Sequence, residues 1–148
     1  MITSIKEVLK VEIIDYRLEC KTGYWQMLVS DQIEIDGRVI DERDWRACSI
    51  TDVPLDYLLR EWELMVNELS SKEIELYNLK EAYLIAESEI VNNTDFKAIY
   101  GANNQKIKDN HVKTELTDMV SEMKALEFGM NWIKQYIPFL KEVIRSKK

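Results

Sequence analysis

From Val112 to Ile144 the apolar residues Val112, Leu116, Met119, Met123, Leu126, Met130, Ile133, Ile137, Leu140 and Ile144 recur at alternating steps of 4 and 3 without a miss. A helix with that heptad period buries one narrow stripe, and it needs a second helix to bury it against. An earlier stretch supplies one. Leu55, Trp62, Leu69, Leu76, Tyr83 and Ile90 follow each other seven apart, and Leu58, Met65, Leu79 and Ala86 fill the alternate positions. Lys72 is the one polar member of that row, and its stem can lie along the seam while the ammonium reaches water.

Folding the chain back between the two seams gives antiparallel layers whose residue numbers sum to 202. They run from Ile90 with Val112, through Leu76 with Leu126, to Trp62 with Leu140, and the alternate layers run from Ala86 with Leu116 to Leu58 with Ile144. The pivot of that sum is Gly101. The pattern predicts a two-helix coiled-coil hairpin over residues 51–148, with helices at about 53–92 and 104–145. Thr51 or Asp52 can cap the first helix, with Pro54 in its opening turn. The heptad phase survives Ser70-Ser71, so that helix is expected to be continuous. Thr94 can start a short turn ending at Gly101, and Asn103 or Asn104 can cap the last helix. Pro138 is expected to kink that helix or to end it near Ile137.

Residues 1–50 read differently. Ile5, Val8, Leu9 and Glu12 suit a short helix, but from Ile14 the period changes to strict alternation: Ile14, Tyr16, Leu18 and Cys20 are apolar, with charges between. That is a half-buried strand. Thr22-Gly23 reads as a turn, Tyr24 to Val29 as a second strand and Ser30-Asp31 as another turn. Ile33 to Ile35, Asp36-Gly37 and Arg38 to Ile40 read as a tight hairpin. A helical alternative through Leu9, Ile13, Tyr16, Cys20, Tyr24 and Met27 has Gly23 inside it as its main objection. The expected fold class is α+β, a small antiparallel β-meander plus the helical hairpin, mostly α and one structural unit.

Charge and composition narrow the function. The net charge of −7 argues against a generic nucleic-acid binder. The two cysteines, Cys20 and Cys48, lack metal or redox spacing and are expected to be reduced thiols. No apolar run approaches a membrane span, and residues 1–7 lack the layout of a signal peptide, so the host-cell cytoplasm and no membrane partner are expected. His111 is the only histidine, which rules out a histidine-based triad or multi-histidine metal site within one chain. It is expected at a surface or edge. The acidic run from Asp31 to Asp44 fails as an EF-hand loop, because Gln32 and Arg43 fall where carboxylates are required. Glu19-Cys20-Lys21 fits the acid-x-Lys step of nucleases only superficially, with no Pro-Asp before it. Phosphate-binding, dinucleotide and nucleophile-elbow motifs are missing. No enzyme, cofactor or metal is expected.

Surface patterning points to binding. Ile74, Tyr77, Leu84, Ile85 and Val91 lie off the first seam, and Phe128, Trp132 and Phe139 lie off the second. Two helices alone cannot cover both stripes. The meander, a second copy in a homodimer, or a foreign partner must cover them, or they stay in water. Residues 1–95 hold 10 Lys/Arg against 21 Asp/Glu, net −11, whereas residues 96–148 are net +4. Glu61, Glu68 and Glu75 form a row along one seam edge, which reads as a solvated face or as carboxylates standing in for phosphates in a basic protein groove. Lys97, Lys106, Lys108 and Lys113 cluster with Tyr100 at the hairpin tip, a possible contact for nucleic acid.

The segment Thr94-Asp-Phe-Lys-Ala-Ile-Tyr-Gly-Ala-Asn-Asn-Gln-Lys-Ile-Lys-Asp109, set between two heptad helices, resembles that of small accessory proteins of bacteriophages and related mobile elements. The resemblance covers roughly Trp62 to Ile144 and carries no catalytic residues. It implies a protein that acts by binding a host or phage protein, as inhibitors of host defence nucleases (anti-CRISPR proteins among them) and recombination or replication accessories do. The residues together predict a non-enzymatic, phage-encoded inhibitor of a host nucleic-acid-processing or defence complex. It would act through Glu61, Glu68 and Glu75 and the aromatic stripe Phe128, Trp132 and Phe139. A nucleic-acid-binding accessory using the basic tip, and a structural coiled-coil oligomerisation factor, are the alternatives.

Overall fold

The computed structural model describes residues 6–19 and 22–148. Three strands come first: β1 (Lys6–Leu18), β2 (Trp25–Ile35) and β3 (Arg38–Cys48). A 3-10 turn (Ile50–Asp52) follows, then α1 (Leu55–Asn93), α2 (Phe96–Tyr100), α3 (Gln105–Glu115) and α4 (Thr117–Lys147). The fold is α+β. The chain divides into two compact units, one of residues up to Trp62 with Leu140–Lys148, the other Glu63–Phe139. The division falls inside α1 and α4.

In the first unit the strands form an antiparallel sheet in the order β1-β2-β3. Asp36 and Gly37 both have positive φ (51° and 81°), the geometry of the tight turn that Asp-Gly favours between strands. Ser30-Asp31 is not a turn. Both residues lie inside β2, paired with Glu12 and Val11 on one side and with Arg43 and Glu42 on the other. Asp31 is held there by an ion pair to Arg46, which also reaches Asp44 at 3.1 Å.

Of the stretch Ile5 to Glu12 that suited a short helix, residues 6–12 are the first half of β1, and the helical alternative is likewise overturned where residues 9–18 and 25–27 are strand. The physical reason is two register shifts, one between Val8 and Lys10 and one between Ile13 and Asp15. Each bulge adds a residue to the strand and breaks its two-residue period, so the apolar spacing mimics a helix. Ile5, Cys20 and Lys21, which entered the helix, strand and nuclease readings, lie outside the described residues.

Opposite residues on paired strands share a face, so Tyr16, Met27 and Arg46 stand on one side of the sheet. Tyr16 meets Tyr57 of α1 edge-on, with ring centroids 5.1 Å apart. Trp25, Val29 and Ile33 of β2 are buried, as are Val53, Leu58, Leu140 and Ile144 of the same unit. The opposite sheet face carries Arg17, which lies over the Trp45 ring at 4.1 Å and donates to Gln26. Ser49 caps the 3-10 turn; Thr51 and Asp52, expected to cap α1, lie inside that turn instead, and Lys147 Nζ donates to the Thr51 carbonyl at 2.6 Å.

In the second unit Leu76 of α1 is buried with Leu126 and Met130 of α4, and Leu69, Leu79 and Met123 pack around them. Lys72 passes its stem beside Gly129, where a Cβ would meet Lys72 Cε at an ordinary contact distance of 3.5 Å, and directs its ammonium to Glu68 at 3.6 Å. Lys80 and Glu127 approach to 4.0 Å across the two helices. α1 runs unbroken through Ser70-Ser71. Asp95, not Thr94, caps α2, while the Thr94 hydroxyl donates back to the Ile90 carbonyl. Gly101 ends α2 in the left-handed conformation (φ 72°), and Asn104 caps α3.

The expected single helix from 104 to 145 is two, parted at Leu116 (φ −106°, ψ 26°). The hydroxyls of Thr114 and Thr117 donate to the carbonyls of Asn110, Lys113 and Thr114, competing with the amides that would continue the helical ladder. Pro138 lies within α4 and does not end it; the helix continues to Lys147.

Candidate protein-docking surface

The heptad rows predict which faces of α1 and α4 are covered, and their outer faces are therefore where unexplained apolar residues matter. All ten members of the Val112–Ile144 row are buried or half-buried. Ile74, Tyr77, Leu84 and Ile85 on α1 are exposed, and Val91 is half-buried.

On α4 the three aromatic residues of the expected stripe differ in exposure. Phe128 is 78% exposed and Phe139 51%. Trp132 is half-buried and lies flat on Tyr136, with centroids 5.1 Å apart and planes 5° from parallel. Tyr136 in turn meets Phe139 at 5.6 Å in an edge-to-face pair. Tyr136 is the member that sequence reasoning passed over. Its spacing of four from Trp132 and three from Phe139 was the available signal. The ladder lies within the second unit and offers apolar area and ring faces but no nucleophile, base or ligand set.

The acidic row is less uniform than its spacing suggests. Glu68 is paired with Lys72, Glu61 is half-buried and engaged in an interaction of its own, and Glu75 stands exposed.

The basic cluster is carried by α2 and α3. Phe96 is buried between Tyr100 and His111, with Lys108 Nζ 6.0 Å from its ring. Tyr100 Oη and His111 Nδ1 are 2.6 Å apart. His111 is half-buried and joined to both Phe96 and Tyr100. Lys97, Lys106 and Lys113 are exposed and Lys108 is half-buried. Lys113 and Lys124, with Tyr83, Thr117, Val120 and Ser121, line an open groove of about 410 Å³. Burial pushes the Tyr83 hydroxyl above its ordinary range, and the Glu87 and Asp109 carboxylates add to that.

Cys48 is a half-buried free thiol, raised above its ordinary pKa first by burial and then by Asp52. Tyr16 is raised by burial and, in smaller measure, by Cys48, Asp52 and Tyr57. Both shifts disfavour the ionised form. Among the described residues no group of three or more His, Cys, Asp or Glu side chains could hold a metal ion, and no helix is long and apolar enough to cross a membrane. No family model, curated protein or solved structure matches the chain.

Proposed function

We propose that the chain is a non-enzymatic binding protein that docks a protein partner on the outer face of α4, anchored by Phe128, Trp132, Tyr136 and Phe139. The observation that carries this reading is the exposure of Phe128 and Phe139 on either side of the stacked Trp132–Tyr136 pair. Aromatic side chains bury roughly 150–250 Å² each and dominate interface energetics when desolvated. A pre-stacked pair also has little side-chain freedom left to lose on binding. The scaffold belongs to the same proposal: in the second unit α1 and α4 pair as an antiparallel coiled coil, supported by the cluster of Leu76, Leu126 and Met130 and by Lys72 against Gly129.

The partner class we propose is a host nucleic-acid-processing or defence complex, inhibited in the manner of anti-CRISPR proteins. That class is supported by the net charge of −7, the carboxylate row of α1 and the resemblance to phage accessory proteins. The test compares capture from host lysate by the wild-type protein and by the Phe128→Ala/Trp132→Ala variant, followed by affinity measurement with the recovered partner. Loss of affinity by roughly 30-fold or more, with helical circular dichroism unchanged, is expected for anchors of this kind. Equal affinity of the two proteins removes the reading. Charge reversal of Glu61, Glu68 and Glu75 to Lys tests the partner class in the same assay, and an unchanged affinity removes that part alone.

A second reading, a nucleic-acid-binding accessory, is favoured by the gathering of Lys113 and Lys124 in one groove beside Tyr83. Tyr100 supports it less, because one of its ring faces is turned to Phe96 and its hydroxyl is held by His111. Gel shifts that weaken with salt and with Lys113→Ala/Lys124→Ala are its signature.

A further inference from the structure

Among the described residues β1 is an edge strand, paired with β2 alone; apart from its two bulges, its outer edge shows a longer run of exposed apolar side chains than β3 does. β3 carries Asp41, Glu42, Arg43, Asp44 and Arg46 in six residues, the charge density that discourages edge-to-edge pairing. β1 instead carries Val8, Leu9, Val11, Ile13 and Ile14, all between 40% and 57% exposed. Its sequence around Val11 is also complementary to itself when reversed. We propose that β1 pairs antiparallel with β1 of a second copy about a two-fold axis at Val11, joining two three-stranded sheets into one of six strands.

The register follows from the side chains. With Val11 opposite Val11 of the second copy, Leu9 faces Ile13, Val8 faces Ile14, and Lys10 faces Glu12, each twice by symmetry. Lys10 already pairs with Glu12 of its own strand at 3.1 Å, so the four charges form a checkerboard in which every neighbour is of opposite sign. A slip of one residue sets Glu12 against Leu9 or Val11. A slip of two sets Lys10 against Lys10 or Glu12 against Glu12. Leu9 and Ile14, the bulge residues that have no partner on β2, each gain an apolar partner in the dimer. Glu7 would face Asp15, which limits the matched stretch to residues 8–14, still the length of an ordinary strand.

Sedimentation equilibrium across a concentration series tests the proposal on the full-length protein. Wild type is expected at twice the chain mass. Lys10→Glu alone and Glu12→Lys alone place like charges opposite each other, and each is expected to weaken self-association roughly tenfold or more. The double variant Lys10→Glu/Glu12→Lys is expected to restore the dimer, and an equimolar mixture of the two single variants to form a heterodimer. A monomeric wild type overturns the proposal, as does a dimer indifferent to these reversals, which would place self-association or a foreign strand elsewhere. Because Phe128 and Trp132 are untouched, the docking reading of α4 stands or falls separately.

Discussion

Trp132 and Tyr136 lie face to face one helical turn apart on α4, ring centroids 5.1 Å apart and planes within 5° of parallel. That contact is local to the helix, so it does not need the rest of the fold to hold it. Phe128 contributes little to folding, being 78% exposed. Phe128→Ala is expected to change unfolding free energy by no more than about 0.5 kcal/mol. Urea unfolding checks this beside the binding assay, and a large loss of stability would make Phe128 a core residue rather than an anchor.

Leu76 and Leu126 behave in the opposite way. Both are 8% exposed and share one cluster with Met130. Leu76→Ala and Leu126→Ala are each expected to cost about 2–5 kcal/mol in urea unfolding, and the double variant less than the sum because the two share a cavity. Additive costs would show that the side chains do not pack on each other.

Gly101 closes α2 with φ 72°, and a Cβ there would meet nothing within 4 Å. The cost of Gly101→Ala is therefore backbone strain alone, about 1–2 kcal/mol, with Gly101→Asn costing less. Equal stabilities for the Ala and Asn variants would remove this account.

Alkaline pH should weaken the first unit. The Cys48 and Tyr16 groups are held above ordinary values of 9.0 and 10.0. A raised folded-state pKa means that the unfolded chain loses its proton first. The stability these groups contribute is complete below the ordinary values and is lost as pH rises through the folded ones. In a Cys20→Ser background, thiol-disulfide reagents are expected to modify Cys48 more slowly than a free thiol at neutral pH, and Asp52→Asn to speed the reaction. A Cys48 that reacts as fast as free cysteine contradicts the burial argument.

The helical part was legible in the sequence because heptad spacing is a local property. All ten positions from Val112 to Ile144 are at least half-buried, and the row keeps its phase across the break at Leu116. That break escaped the hydrophobic pattern because it arises from hydroxyl bonds of Thr114 and Thr117, which leave apolar spacing untouched. The candidate surface was legible to the same degree: Phe128, Trp132 and Phe139 by spacing, Tyr136 only once its ring was seen against Trp132.

Residue order alone determined the α+β division, the Asp36-Gly37 hairpin, the end of α2 at Gly101, and the covered stripe from Val112 to Ile144. All of these depend on neighbours within a turn or two of the chain. Tertiary structure alone decided that Val8 to Ile14 is strand, that Ser30 and Asp31 are interior to β2, and that the chain divides into two units within α1 and α4. Those outcomes depend on partners many residues away. Eleven register pairs to β2, for example, outweigh the helical spacing that two bulges leave in β1.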